Sequence, residues 1–176
     1  FAFDLPVKAI GGHYDDNLLR KHGDTRIYDI GIREEETLEA QDRIVREFVR
    51  EEYARLGGGE LASWEFNYYL GQWVNKTAPF PERSFTAAAA RLGVPVFWDS
   101  LANHSLTMNL VKTDLEGRPV TISPQKDIFD SAAIVYASPA SGFFLLGGGG
   151  PKNFIQQTGP TLHQILAVDY QGADRG

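Results

Sequence analysis

Residues 143–153 read FFLLGGGGPKN, and this stretch decides the fold class that the sequence predicts. A short apolar run leads into four glycines, and the proline that follows suits the first turn of a helix. The order predicts a strand, a tight turn and a helix, because glycine accepts backbone conformations that other residues avoid. An anionic ligand fits such a turn, since the next helix presents free N–H groups. The spacing matches neither a dinucleotide fingerprint nor a Walker A loop, so a turn without a ligand stays open as the alternative.

Short apolar runs alternate with helical stretches on both sides of this turn. The runs lie at 94–97, 119–122 and about 166–170, and the helical stretches at 105–113 and 125–137. This alternation predicts a three-layer α/β fold with a parallel sheet. We expect 94–97, 143–146 and about 166–170 to be neighbouring parallel strands with helices on both faces.

The first half of the chain is predicted to be mainly helical. Helices are expected at 33–56, 60–75 and about 82–92, extended structure at 24–32, and a short helix or turn at 1–12. The helix at 33–56 has an apolar stripe and an acidic first turn. The aromatic-rich stretch 64–73 is interpreted as core or subunit interface. We expect residues 1–176 to form one partial domain, helical over 1–92 and α/β over 93–176.

The composition is that of a globular protein, with 176 residues, 43% hydrophobic residues and a net charge of -6. The absence of cysteine excludes disulfides, thiolate metal sites and a cysteine nucleophile, and it fits the cytoplasm. The histidines form no metal-ligand pattern, so no metal site is expected. No basic stripe favours nucleic acid. No apolar stretch approaches the roughly 20 residues that a membrane span needs.

A second group of polar residues follows the run 94–97. Asp99 ends the predicted strand, and Asn103, His104 and Ser105 come just before a predicted helix. The carboxyl ends of parallel strands are the usual ligand side of an open α/β sheet. On the residues alone, the simpler interpretation is favoured, in which Asn103 or Ser105 caps the helix.

Two segments resemble the deoxyhypusine synthase family. The sequence GVPVF at 93–97, followed by Ser105-Leu106, is similar to the "PVF…SL" segment of that family. The sequence FLLGGGGPKNF at 144–154 is similar to the family's "ILGGG" turn, and its PKNF tail is most like the bacterial deoxyhypusine synthase-like branch. The segment RIYD at 26–29 also fits. The resemblance covers most of residues 13–170.

The resemblance implies a Rossmann-like fold, a homotetramer and tightly bound NAD. It also implies a reaction in which spermidine is oxidised by hydride transfer to NAD. The aminobutyl group then passes through an imine on an enzyme lysine to an acceptor amine. In true deoxyhypusine synthases the acceptor is a lysine of a translation factor, whereas some bacterial relatives use a small amine and make homospermidine.

By position, the resemblance assigns two sets of residues. Those for the cofactor are Asn103, Gly147 and Gly149, and those for the polyamine are Met108, Gly148, Asn153 and Gln157. Asn103 stands in place of an aspartate that contacts the dinucleotide, and Met108 in place of one that binds the polyamine. Asn153 replaces a histidine and Gln157 an asparagine. The change at Met108 matters most, because a buried ammonium needs a paired acceptor. We therefore expect the amine to differ or to bind in another way.

No catalytic residue is assigned, because the family's imine-forming lysine belongs to a Trp-Gly-Lys segment that this sequence does not contain. We interpret the chain as an internal part of an NAD-dependent aminobutyl transferase, inactive by itself, whose acceptor is a small amine. Authentic deoxyhypusine synthase is the alternative enzyme. A non-catalytic relative that serves as an NAD-binding or assembly module is the third alternative.

Overall fold

The computed structural model describes residues 2–9 and 15–169. A three-stranded antiparallel sheet is formed by β1 (Lys8–Ala9), β2 (Asp24–Ile27) and β3 (Ile30–Arg33), in the order β1-β3-β2. The helix α1 (Asp16–Lys21) precedes β2. The prediction of extended structure at 24–32 is confirmed. Within the predicted helix or turn at 1–12, residues 2 and 3 form a turn and β1 follows, while residues 1 and 10–12 lie outside the described residues.

The predicted helix at 33–56 is present in three parts. A π-helical turn (Glu34–Glu39) leads into α2 (Ala40–Glu51), and α3 (Tyr53–Leu56) follows. The apolar stripe faces inward, because Phe48 and Val49 are fully buried. Gly57 ends the run, as the glycines there predict.

Two packed helices follow. The helix α4 (Ser63–Thr77) is joined through a 3₁₀ turn (Pro81–Arg83) to α5 (Phe85–Leu92), which ends at Gly93 with φ +67°. Gly71 allows the two helices to approach closely, since a β-carbon there would collide with the Thr86 carbonyl and lie 2.6 Å from Ala90 Cβ. These helices confirm the predictions at 60–75 and 82–92 to within two or three residues at the ends.

The described part of the second half, residues 93–169, is mainly helical and contains the short strand β5. Its elements are α6 (Ser105–Leu115), β5 (Thr121–Ile122), α7 (Pro124–Ala137), α8 (Gly150–Gln156), α9 (Thr158–Pro160) and a π-helical turn (Thr161–Ile165). The strand β5 pairs in parallel with β4 (Glu60–Leu61), which joins the two halves. No helix among the described residues is long and apolar enough to cross a membrane.

An aromatic core holds these elements together. Phe48 packs edge-on against Phe66 at 5.3 Å between ring centroids, and Phe66 packs against Trp98 at the same distance. Trp73 lies 5.7 Å from Phe48. Two aromatic side chains of the stretch 64–73 therefore belong to the core of this chain, and they are not free to form a subunit interface.

The predicted parallel sheet is not found among the described residues. Residues 94–97, 143–146 and 166–169 form no strands, and residue 170 lies outside the description. The strands of a parallel sheet are buried on both faces, but Phe144 and Leu146 are 86% and 87% exposed. At 96–98, side chains of α4 take the backbone hydrogen bonds that a neighbouring strand would take. The structure is thus mixed α/β and mostly helical, with two small sheets.

Candidate functional site

Side chains of helix α4 hold residues 96–98, the segment that leads to the predicted ligand-binding region. The Ser63 hydroxyl oxygen accepts the backbone N–H of Trp98 at 2.9 Å. One turn later, Asn67 Nδ2 donates to the carbonyl oxygen of Val96 at 2.7 Å. Because residues i and i+4 share a face of a helix, both side chains point at the same stretch of backbone. The backbone of 96–98 is therefore held at two points.

A buried carboxylate in turn holds the start of α4. Asp127 of α7 is 2% exposed, and its Oδ1 accepts the backbone N–H of Ser63 at 2.7 Å. This contact satisfies one of the N–H groups that the first turn of a helix leaves free. Burial raises the pKa of Asp127, and hydrogen bonding by Ser63 opposes the rise. Helix α7 thus positions Ser63 and, through Ser63, the backbone of Trp98.

The chain after Trp98 turns back, so that His104 packs on the Trp98 ring. The ring centroids lie 4.4 Å apart in an edge-on arrangement. Burial lowers the pKa of His104, and the charge of Asp99 opposes the shift only in part. The imidazole is therefore neutral near pH 7. Its Nε2 is buried and has no hydrogen-bond partner in the described part of the chain.

The start of α6 does not use the caps that the sequence suggested. His104 occupies the capping position, and no side chain caps this helix. Ser105 Oγ instead accepts a hydrogen bond from Gln41 Nε2 at 3.1 Å. Asn103 is exposed in the turn before the helix. The interpretation of Asn103 or Ser105 as a helix cap is therefore wrong, and the Asn103 amide is available to a ligand.

The glycine turn meets this segment at one point. Gly150, the first residue of α8, lies against Asp99, and a β-carbon at Gly150 would overlap the Asp99 carboxylate. The rings of Phe97 and Phe154 lie 5.9 Å apart on the same side. The segment 97–99 and the start of α8 therefore form a single surface.

The other three glycines leave this surface open. A β-carbon at Gly147, Gly148 or Gly149 would meet no atom within 4 Å. Gly147 has φ +80°, a conformation that favours glycine. The backbone of the turn is thus bare on the side where a ligand would approach.

Comparison with known proteins shows the family to which this chain belongs. The family model described as deoxyhypusine synthase matches residues 4–174. The chain belongs to the deoxyhypusine synthase family. The family resemblance seen in the sequence is therefore confirmed.

Similar relatives come from bacteria and archaea. A deoxyhypusine synthase-like protein of Thermosynechococcus vestitus is 33% identical over 184 aligned positions, which cover 99% of this chain and 45% of the relative. One from Nostoc punctiforme is 35% identical, covering 91% of this chain and 42% of the relative. A protein named probable deoxyhypusine synthase 2, from Methanosarcina mazei, is 35% identical and covers 93% and 46%. The chain thus spans less than half the length of these relatives.

The positions that the deoxyhypusine synthase resemblance assigns to ligands fall on two segments of the chain, the glycine turn with α8 and the residues around the start of α6. The three glycines form the turn itself, and Asn153 and Gln157 lie on and just after α8, one helical turn apart. Asn103 precedes α6, and Met108 is 63% exposed in its second turn. All are exposed. No hydrogen bond joins Asn103 to residues 147–150, all of which the structure describes.

Four residues of this region were not assigned a role by sequence reasoning. They are Ser63, Asn67, Asp99 and Asp127. Asp99 had a sequence signal, since it directly follows the predicted strand end. The other three had none, because they come from helices far along the chain from residues 96–98.

One cavity of the molecule lies apart from this surface. A cavity of about 490 Å³ lies between α4 and α7 and is lined by Trp64, Tyr68, Val94 and Ile134, among others. It contains none of the positions assigned to ligands. Among residues 2–9 and 15–169, no group of three histidine or acidic side chains gathers closely enough to hold a metal ion.

Proposed function

We propose that the full-length protein containing this chain is an NAD-dependent aminobutyl transferase. It transfers the aminobutyl group of a spermidine-like polyamine to a small amine, as in homospermidine formation. The diamine left from the polyamine is released, and the hydride removed from the polyamine is returned to the imine formed with the acceptor. The observation that carries the proposal is the contact between Asp99 and Gly150. That contact supports the proposal because Asp99, a few residues before Asn103 in the sequence, lies against the first residue after the glycines assigned to the ligands.

The residues of the surface fit a dinucleotide. Gly147 and Gly149 offer bare backbone, which allows close approach by a pyrophosphate or ribose. The exposed Asn103 amide can hydrogen-bond a ribose hydroxyl without contributing charge. Bound NAD supplies the hydride acceptor for oxidation of the polyamine. In this proposal, the residues of this chain orient the cofactor beside the amine.

The amine side of the proposed site carries no formal charge at its assigned positions. Met108, Asn153 and Gln157 are neutral and exposed, and Gly148 contributes only backbone. An amide oxygen accepts a hydrogen bond from an ammonium, but more weakly than a carboxylate does. The assigned positions by themselves therefore offer no anionic partner to either the polyamine or the acceptor amine.

The imine-forming lysine is proposed to lie in another part of the full-length protein. Such a lysine needs a lowered pKa in a desolvated pocket. Lys126 pairs with Glu65 at 2.7 Å, and this pairing raises its pKa. The other lysines of the chain, Lys8, Lys21, Lys76, Lys112 and Lys152, are exposed. None has the surroundings that activate an amine.

We extend the proposal to the assembly. In the full-length protein, the exposed apolar runs 94–97 and 143–146 join a Rossmann-like parallel sheet, and the protein is a cytoplasmic homotetramer. The exposure of Val94, Phe144 and Leu146 supports this, because isolated apolar runs of this kind are usually covered by neighbouring structure. A structure and a light-scattering mass of the full-length protein test both points.

The deciding experiment incubates the full-length protein with NAD, spermidine labelled in its aminobutyl part, and one of two acceptors. Transfer of label to putrescine is the expected result. Transfer only to a translation-factor lysine would replace the proposal with authentic deoxyhypusine synthase, the activity named for the archaeal relative. If calorimetry detects no NAD binding, a non-catalytic module becomes the better account.

A further inference from the structure

Asp99 carries a carboxylate that the fold does not use. The side chain is exposed, and it makes no hydrogen bond or ion pair with any residue that the structure describes. It lies against Gly150 at the start of α8, yet no side chain caps that helix. The Asp99 carboxylate therefore lies at the start of a helix without capping it, and it forms no ion pair among the described residues that would stabilise the fold.

The groups near Asp99 leave its charge uncompensated. The titratable neighbour is His104, which burial keeps neutral near pH 7. Lys152 follows two residues after Gly150, but it is exposed and forms no ion pair with Asp99. A carboxylate without an ion-pair partner among the described residues therefore lies beside the open glycine turn, where the amine is proposed to bind.

We infer that Asp99 receives the ammonium group of the amine substrate, in place of the carboxylate that position 108 lacks. This inference rests on the proposed function and deepens it. A cationic amine needs an anionic acceptor when it leaves water, because an unpaired buried charge is strongly unfavourable. The positions assigned to the amine offer only a thioether, a glycine backbone and two amides. Asp99 is the carboxylate that the structure places in contact with that turn.

The test measures spermidine binding by calorimetry to the full-length protein loaded with NAD. Asp99→Asn removes the charge at nearly constant shape, and we expect spermidine affinity to fall about tenfold. NAD affinity is measured on the same samples and is expected to stay the same. The matched control is Asp114→Asn, an exposed carboxylate further along α6 and outside the proposed site.

A rescue variant separates charge from shape. Adding Met108→Asp to Asp99→Asn restores a carboxylate at the position that the family uses, and it should recover part of the lost affinity. Unchanged spermidine binding by Asp99→Asn overturns the role of Asp99 and leaves the proposed function intact. Loss of both NAD and spermidine binding also overturns it, because Asp99 would then act through the fold. A wild-type protein that binds NAD but not spermidine removes the proposed function, and this inference with it.

Discussion

The hydroxyl oxygen of Ser63 accepts the backbone N–H of Trp98 at 2.9 Å, and the backbone N–H of Ser63 is itself bonded to the buried carboxylate of Asp127. This chain of contacts links α7, α4 and the segment that carries Asp99. It explains how a segment that forms no strand is still held in one place.

Replacing Ser63 with alanine is expected to destabilise the protein by about 1–3 kcal/mol, because the buried N–H of Trp98 loses its acceptor. Urea unfolding of the full-length protein measures the change. Ser138→Ala is the matched control, since that hydroxyl bonds only the preceding helical turn and lies nearer the surface. Equal effects of the two variants would contradict the positioning role of Ser63.

A methyl group added at Gly150 is expected to displace the Asp99 side chain. Because it would overlap the carboxylate, Gly150→Ala should turn Asp99 away and weaken spermidine binding as Asp99→Asn does. The two changes should not add in a double-mutant cycle, since both remove the same contact. Gly59→Ala is the control, because a β-carbon there meets no atom within 4 Å. Additive losses of affinity would show that Gly150 and Asp99 act separately.

Stability should depend on pH through His104. Burial lowers its pKa in the folded state, so below about pH 6.5 the unfolded chain binds the proton more readily. The contribution of neutral His104 is therefore fully present above that pH and is lost as the pH falls through the folded-state value. In the His104→Phe variant, the free energy of unfolding should decrease less between pH 7 and pH 5 than in the wild type. Urea unfolding at each pH measures this difference. The exposed histidine variant His163→Gln should keep the wild-type slope.

A charge at position 103 should strengthen cofactor binding. Asn103→Asp replaces a neutral acceptor with a charged one, and charged hydrogen bonds are roughly twice as strong. We expect NAD to bind about 1 kcal/mol more tightly, or about fivefold, in calorimetry of the full-length protein. Weaker binding by the aspartate variant would place Asn103 near a phosphate instead of a ribose.

The 176-residue chain alone should trap no aminobutyl adduct. Its lysines are exposed or, for Lys126, paired with Glu65, so none lies in the desolvated pocket that imine formation needs. Mass spectrometry after borohydride reduction, with NAD and spermidine present, checks this. A mass increase on Lys152 would contradict the proposal that the imine-forming lysine lies in another part of the full-length protein.

The family and most of the helices could be predicted from the sequence, because both depend on local patterns. The glycine turn with its proline predicted the start of α8 and pointed to the family. The spacing of Val45, Phe48 and Val49 predicted the buried face of α2. Such signals lie within a few residues of each other, so the tertiary structure adds little to them.

The sheet and the site depended on distant residues, and there the sequence was insufficient. Short apolar runs such as 94–97 fit a buried strand, but a strand also needs backbone hydrogen bonds to a neighbouring strand. In this structure, the side chains of Ser63 and Asn67 form hydrogen bonds with the backbone of residues 96–98 instead. The contact between Asp99 and Gly150 joins residues from two separate segments of the chain. The family, most of the helices and the glycine turn could thus be predicted from local patterns in the sequence. Which carboxylate lies against that turn became clear from the folded structure alone, because α4 and α7 hold residues 96–98 and thereby place Asp99 against Gly150.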